Sequence, residues 1–176
     1  LLQVNADEQA YKIDRTKSLN LAIVIDRSGS MSGKPLDEAK ACAIMMVEQM
    51  HANDRIAVVT YDNEAELVVP STQCLHKQEI ISRIRMISEG GMTALHAGWL
   101  MGAEEVAKYK TENSLNRVLL LSDGNANQGL TDIDQIKSQC SQLADAGVTT
   151  STYGLGHNFN ETLMIELSSG GLGQGY

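Results

Sequence analysis

The stretch Leu21-Ala22-Ile23-Val24-Ile25-Asp26-Arg27-Ser28-Gly29-Ser30 decides the architecture. Its unbroken apolar run is short and β-branched, which suits a strand buried on both faces, the kind that fills a parallel sheet. The run ends in an aspartate, and two residues at alternate positions beyond it carry hydroxyls on a glycine-containing loop. Arg117 to Ser122 repeats the design, a second buried strand that runs straight into Asp123. Each carboxylate therefore sits where a buried strand surfaces, not on a solvated face.

Outward from these two strands, segments of helical period alternate with apolar runs, the mark of βαβ units. From Pro35, Ala39, Ala43, Met46, Val47 and Met50 recur at helical spacing, with Cys42 beside Met46 on the inner side. Arg55 to Tyr61 and Ala65 to Val69 flank Asp62-Asn63-Glu64, which predicts an antiparallel hairpin at one sheet edge. Ile80, Ile81, Ile84 and Ile87 predict a helix, and Leu95, Trp99, Ala103, Val106 and Ala107 another, just after Gly90-Gly91-Met92-Thr93. Thr131-Asp132-Ile133-Asp134 resembles a capping box with Asp in place of Glu. The helix it opens carries Ile133, Ile136, Cys140, Leu143 and Ala144 and stops at Gly147. Val148 to Tyr153 reads as a further strand. An edge strand around Tyr11 to Asp14, a short helix from Asn160 to about Ser168 and a strand opening within Gly173 to Tyr176 complete the expectation.

The predicted fold is α/β, doubly wound, with a mainly parallel sheet, one antiparallel edge strand and helices on both faces. No repeat, low-complexity tract or linker interrupts it, so one domain is expected over 1–176. Its start without Met and its glycine-rich end read as a domain cut from a longer protein. A chain of 176 residues buries roughly 70% of its unfolded surface and needs no staples. Fourteen Lys and Arg, scattered against 22 Asp and Glu, give a formal charge of −8, which argues against nucleic acid and anionic membranes as partners. The longest apolar runs fall far short of the roughly 20 residues that cross a bilayer, and no signal peptide is visible. Cys42, Cys74 and Cys140 match no zinc spacing and cannot all pair, so they read as small buried thiols, leaning towards a reducing compartment. His51, His76, His96 and His157 stand apart with no ligand spacing, although His157 follows a strand on the face where ligands bind. Trp99, on an apolar helical face, reads as core.

In an open α/β sheet, ligands bind beyond the carboxyl ends of the strands, where strand order reverses. If the two aspartate-ending strands are neighbours there, both carboxylates share one cleft. Ser28 and Ser30 can curl their hydroxyls towards Asp26, and Thr93 adds a third hydroxyl at a helix start. Any one of these has an ordinary explanation, a turn-forming Asp or a helix-capping hydroxyl. What capping leaves unexplained is two Asp, two Ser and one Thr all expected at carboxyl-end loops of one sheet. An all-oxygen set with no His or Cys suits Mg²⁺, less strictly Mn²⁺ or Ca²⁺, rather than zinc or copper. Neutral hydroxyls and two carboxylates leave such a cation open to one more anionic oxygen, naturally an Asp or Glu of another protein.

Asp26-Arg27-Ser28-Gly29-Ser30-Met31, Gly90-Gly91-Met92-Thr93-Ala94-Leu95 and Leu121-Ser122-Asp123-Gly124 resemble, in this order, the metal-ion-dependent adhesion site of von Willebrand factor A domains. The likeness runs from about Leu19 to the end, and Tyr153-Gly154-Leu155-Gly156 with the closing glycine-rich stretch resembles bacterial members. The resemblance implies a Rossmann-like sheet in which Ser28, Ser30 and Thr93 contact the ion while Asp26 and Asp123 complete it. It also implies an adhesion or assembly module, not an enzyme, whose last helix shifts when ligand binds. Two rivals stay open: a regulatory module of a larger ATPase or envelope complex, and a Mg²⁺-dependent phosphohydrolase. The hydrolase wants a second Asp two residues after the first, and Ser28 stands there instead. No Gly-x-Ser-x-Gly elbow, phosphate-binding Gly-Lys-Ser/Thr loop or His-Glu-x-x-His is present.

Overall fold

The computed structural model describes residues 17–123, 133–155 and 172–175. In chain order these form β1 (Ser18–Asp26), a 3-10 turn (Gly29–Met31), α1 (Lys34–Gln49), β2 (Arg55–Tyr61), β3 (Ala65–Gln73) and α2 (Lys77–Arg85). There follow α3 (Leu95–Lys108), β4 (Ser114–Ser122), α4 (Ile133–Asp145), β5 (Thr149–Gly154) and β6 (Leu172–Gly175). The strands make one sheet in the order β3-β2-β1-β4-β5-β6. All neighbours are parallel except the β2–β3 hairpin at the edge. Strand order runs one way from β1 to β3 and the other way from β4 to β6, so it reverses between β1 and β4. The two aspartate-ending strands are therefore neighbours at the switch point.

Strand parity sorts the core into two layers. Leu21, Ile23 and Ile25 of β1 pack with Ala39, Ala43 and Val47 of α1 and Ile80, Ile81 and Ile84 of α2. Ala22 and Val24 face the other way, onto Leu95, Trp99, Ala103 and Val106 of α3 and Ile136 and Cys140 of α4. Both faces are covered, which is why β1 is apolar at every position and does not alternate. Each fully buried Val, Leu or Ile favours folding by about 1.5–3 kcal/mol, so β1 is the strand the layers assemble on. Gly98 and Gly102, one turn apart on α3, let that helix lie close. A Cβ on Gly102 would come within 2.5 Å of Val24 Cγ2, and one on Gly98 within 2.3 Å of Tyr61 Cδ1. Trp99 is core as expected, its indole N–H donating to Thr150 Oγ1 at 3.0 Å.

Several boundaries differ from the sequence reading. β3 continues past Val69 to Gln73 through Pro70, which is tolerated because β3 is an edge strand and its pairing with β2 is irregular near Val58 and Val69. β4 starts at Ser114, ahead of Arg117, because polar Asn116 is buried and bonded, accepting from Asn20 Nδ2 at 2.9 Å. Cys74 and Cys140 are buried, whereas Cys42 is only half-buried at the margin of its layer. Burial pushes the Cys74 thiol up to about 11 and that of Cys140 to about 12, so both stay protonated and unreactive. The strand expected around Tyr11 to Asp14, the Thr131-Asp132 part of the capping box, His157 and the helix from Asn160 lie outside the described residues. Among the described residues, no helix is long and apolar enough to cross a membrane.

Candidate metal centre

The strand ends place a row of side chains before any loop is considered. Ala22 and Val24 face the layer of α3 and α4, so Asp26, next in that parity, faces it too. Tyr61 is the register partner of Asp26 on β2 and belongs to the same layer. Ile25 pairs with Leu121, which sets Ser122 beside Asp26 on β4, and Ser122 pairs in turn with Gly154 of β5. The row thus reads Tyr61, Asp26, Ser122, Gly154 across four adjacent strands. Asp26 is wholly buried. Its Oδ2 accepts from Ser122 Oγ at 2.8 Å and its Oδ1 from the Ser28 N–H at 2.9 Å.

Beyond the strand, the loop turns tightly because buried Met31 pins the 3-10 turn to the core. Ser28 is buried, Ser30 is exposed, and their hydroxyl oxygens lie 3.1 Å apart. This loop is stitched to the one before α3: Gly29 N donates to Gly91 O at 2.8 Å, and Gly90 N to Arg27 O at 2.6 Å. Gly90 is required by space, since a Cβ there would fall 2.1 Å from Asp62 Oδ2 and 2.8 Å from Asp62 Cβ, and a Cβ on Gly91 would displace the Asn63 side chain, whose Oδ1 lies 2.5 Å from that position. Thr93, on that stitched loop, is buried. The N-cap of α3 is Ala94, with no side-chain cap bond, and Ser28 makes none at the 3-10 turn. The Ser28 hydroxyl is therefore not spent on capping the 3-10 turn. Asp123 follows β4, buried, with its charge acting on Asp26. Asp26, Ser28 and Ser30 are thus together, the Thr93 loop is bonded to theirs, and Asp123 stands across the switch point from Asp26.

Sequence reading missed four supports. Ser122 and Tyr61 flank Asp26 in the row, a placement that period-two parity implies once strand order is known. Arg27 pairs with Asp62 at 3.2 Å and with Glu66 at 3.7 Å. The hairpin turn then reaches the Thr93 loop, with Met92 N donating to Asn63 Oδ1 at 2.6 Å and Ala94 N to Asp62 O at 2.7 Å. A turn that looked like a plain connector is the bracket for two site loops.

Burial raises the Asp26 carboxyl to about 6, and the neighbouring Asp123 charge adds to this, against the hydrogen bonds from Ser28 and Ser122 that lower it. The Tyr61 phenol is held well above its ordinary range, first by burial and then by the charge on Asp26. Four buried side-chain polar atoms among the described residues make no hydrogen bond, and three of them, Arg27 Nε, Thr60 Oγ1 and Tyr61 Oη, lie at this end of β1 and β2. Of these, the Tyr61 hydroxyl shares the face of Asp26, whereas Thr60, the register partner of Ile25, faces the other layer. Among the described residues, no group of three or more His, Cys, Asp or Glu is placed to hold a metal ion, so a cation here would draw on the hydroxyls as well as the two carboxylates. Two carboxylates with hard neutral oxygens suit a divalent cation, whose charge would relieve the strain of the acidic pair.

Comparison with known proteins agrees with this fold. Among curated proteins, the uncharacterized protein YfbK of Escherichia coli is 33% identical over 98% of this chain, which spans 30% of that protein. An uncharacterized protein of Synechocystis is 30% identical over 98% of the chain, which spans 40% of it. The chain thus covers well under half the length of these relatives. Among solved structures, a von Willebrand factor type A protein from Catenulispora acidiphila superposes with a TM-score of 0.78 at 18% identity, over 90% of this chain and 38% of that one. Proximal thread matrix protein 1 from the mussel byssus, with a zinc-occupied MIDAS motif, gives 0.72 at 18% identity, over 87% and 42%. At such identities the structural likeness speaks for the fold alone. The model of the von Willebrand factor type A domain matches residues 20–174, and by that match the chain belongs to this family.

Proposed function

We propose that this domain is a divalent-cation-dependent protein-binding module, in which Ser28, Ser30 and Thr93 hold the ion and Asp26 and Asp123 supply the charge that retains it. The observation that carries this reading is the buried Asp26 carboxylate, bonded at both oxygens, beside Asp123 and next to the paired hydroxyls of Ser28 and Ser30. Domains of the family commonly mediate protein interactions. A bound Mg²⁺, Mn²⁺ or Ca²⁺ supplies positive charge left undercompensated by two carboxylates, to which an Asp or Glu of a partner attaches. Exposed Gly29 and Ser30 form the side from which a partner carboxylate approaches. The relatives' greater length supports a module working inside a larger protein, the regulatory part of an ATPase or envelope complex included.

Calorimetric titration tests the reading with Mg²⁺, Mn²⁺, Ca²⁺ and, given the mussel protein, Zn²⁺. Asp26→Ala and Asp123→Ala should each weaken binding by about a hundredfold or more, the scale set by losing one partner of a buried charge pair, while far-UV circular dichroism stays unchanged. Capture of partners should likewise vanish with chelator. Equal ion affinity in both variants and wild type sinks the proposal. Turnover of a chromogenic phosphate ester that Asp26→Ala abolishes would favour the hydrolase instead.

A further inference from the structure

The buried phenol of Tyr61 has no structural task that its hydroxyl performs. Its ring is seated by design, because Gly98 of α3 leaves the room that any Cβ would take, 2.3 Å from Tyr61 Cδ1. A phenylalanine would fill that seat equally well. Yet the side chain ends in a hydroxyl that is fully buried and makes no hydrogen bond, an arrangement that disfavours the fold unless the hydroxyl is used elsewhere. The groups facing it are Asp26, Ser122 and Asp123. Asp26 is its register partner, on the same face of the next strand, and Ser122 already holds Asp26 Oδ2 from the opposite side at 2.8 Å. A carboxylate flanked by two hydroxyl donors on neighbouring strands is restrained in the plane of the sheet, and a ligand held so loses little freedom when an ion arrives.

We propose that Tyr61 is a positioning residue of the metal centre: its phenol, which faces Asp26 opposite Ser122 and is unpaired in the ion-free chain, turns to donate to that carboxylate when a cation is held and fixes the orientation in which Asp26 serves it. The inference rests on the cation-binding reading above and assigns Tyr61 no contact with the ion itself. It follows that the hydroxyl matters to ion affinity and not to folding, whereas the ring matters to folding.

Tyr61→Phe separates the two. Titrated with Mg²⁺ by calorimetry, this variant should bind about fivefold to tenfold more weakly than wild type, while its melting temperature in chelator stays equal or rises. Ser122→Ala should weaken Mg²⁺ binding to a similar degree, and the double variant should lose less than the product of the two losses, because both act on one carboxylate. Tyr61→Leu serves as the control for the ring and should lower the melting temperature. Tyr61→Phe binding Mg²⁺ within twofold of wild type overturns the inference alone and leaves the metal reading standing. A melting temperature that falls in step with affinity overturns it too, since a packing role would then explain both. Wild type that binds no divalent cation overturns the metal reading and the inference with it.

Discussion

Two buried aspartates, at opposite ends of the sheet, show what separates a structural polar residue from a site residue. Asp54 lies just before β2, and its carboxylate accepts from the backbone N–H of Leu19 at 2.8 Å and of His51 at 2.7 Å. It clamps the start of β1 to the turn before β2, and its own carbonyl takes the Cys74 N–H at 3.0 Å. Nearby, Asn20 and Asn116 knit β1 to β4, and Asn20 Nδ2 also reaches Val106 O of α3 at 2.9 Å. At the other end Asp26 is equally buried and also accepts two hydrogen bonds, but it faces a second carboxylate and lies among unpaired donors. Backbone amides bond both carboxylate oxygens of Asp54, whereas Asp26 is left with the charge of Asp123 beside it, a repulsion that a proton relieves and that a cation would relieve as well. Burial marks both residues, and that repulsion is what distinguishes the site.

The contrast breaks most sharply under changes of pH. The Asp26 carboxyl is raised from 3.8 to about 6, so the folded chain binds its proton more tightly than the unfolded chain does. In chelator its contribution therefore favours the fold at low pH and is lost as pH rises from about 4 to 6, by up to about 3 kcal/mol. Denaturant unfolding across that window measures it, and Asp26→Asn should flatten the slope. Wild type and Asp26→Asn with the same pH dependence would remove the electrostatic half of the comparison.

Asp54→Ala should cost about 2 kcal/mol, because it strands two backbone N–H groups, and should leave Mg²⁺ affinity untouched. Asp26→Asn should do the reverse, raising ion-free stability at neutral pH by about 1–2 kcal/mol while abolishing ion binding. Both are read from urea unfolding in chelator beside a Mg²⁺ titration. Loss of ion binding in the Asp54 variant would mean that the two ends of the sheet are coupled.

The fold was legible because periodicity reports burial. The alternation of unbroken apolar runs with helical stripes announced a parallel sheet covered on both faces, and Asp62-Asn63-Glu64 announced the antiparallel edge. Boundaries at β3 and β4 were less legible, since an edge strand tolerates Pro70 and a bonded Asn116 is allowed inside, and neither exception can be foreseen without the neighbours. Of the centre, Asp26, Ser28, Ser30, Thr93 and Asp123 stood out by residue type and by place at strand ends and loops. Tyr61, Ser122 and the Asp62-Asn63 bracket did not, because each matters through a partner far away in the chain.

Local chemistry was enough to say where strands end in carboxylates and which loops bear hydroxyls, because strand parity and turn preferences act over a few residues. Whether Asp26 and Asp123 stand together depended on strand order, which arises from packing between segments nearly a hundred residues apart. Only once β1 lay between β2 and β4 did Tyr61 and Ser122 flank Asp26 and Gly90-Gly91 close on the hairpin turn. The energy of that arrangement resides in contacts between strands and helices, and no single stretch of chain contains it.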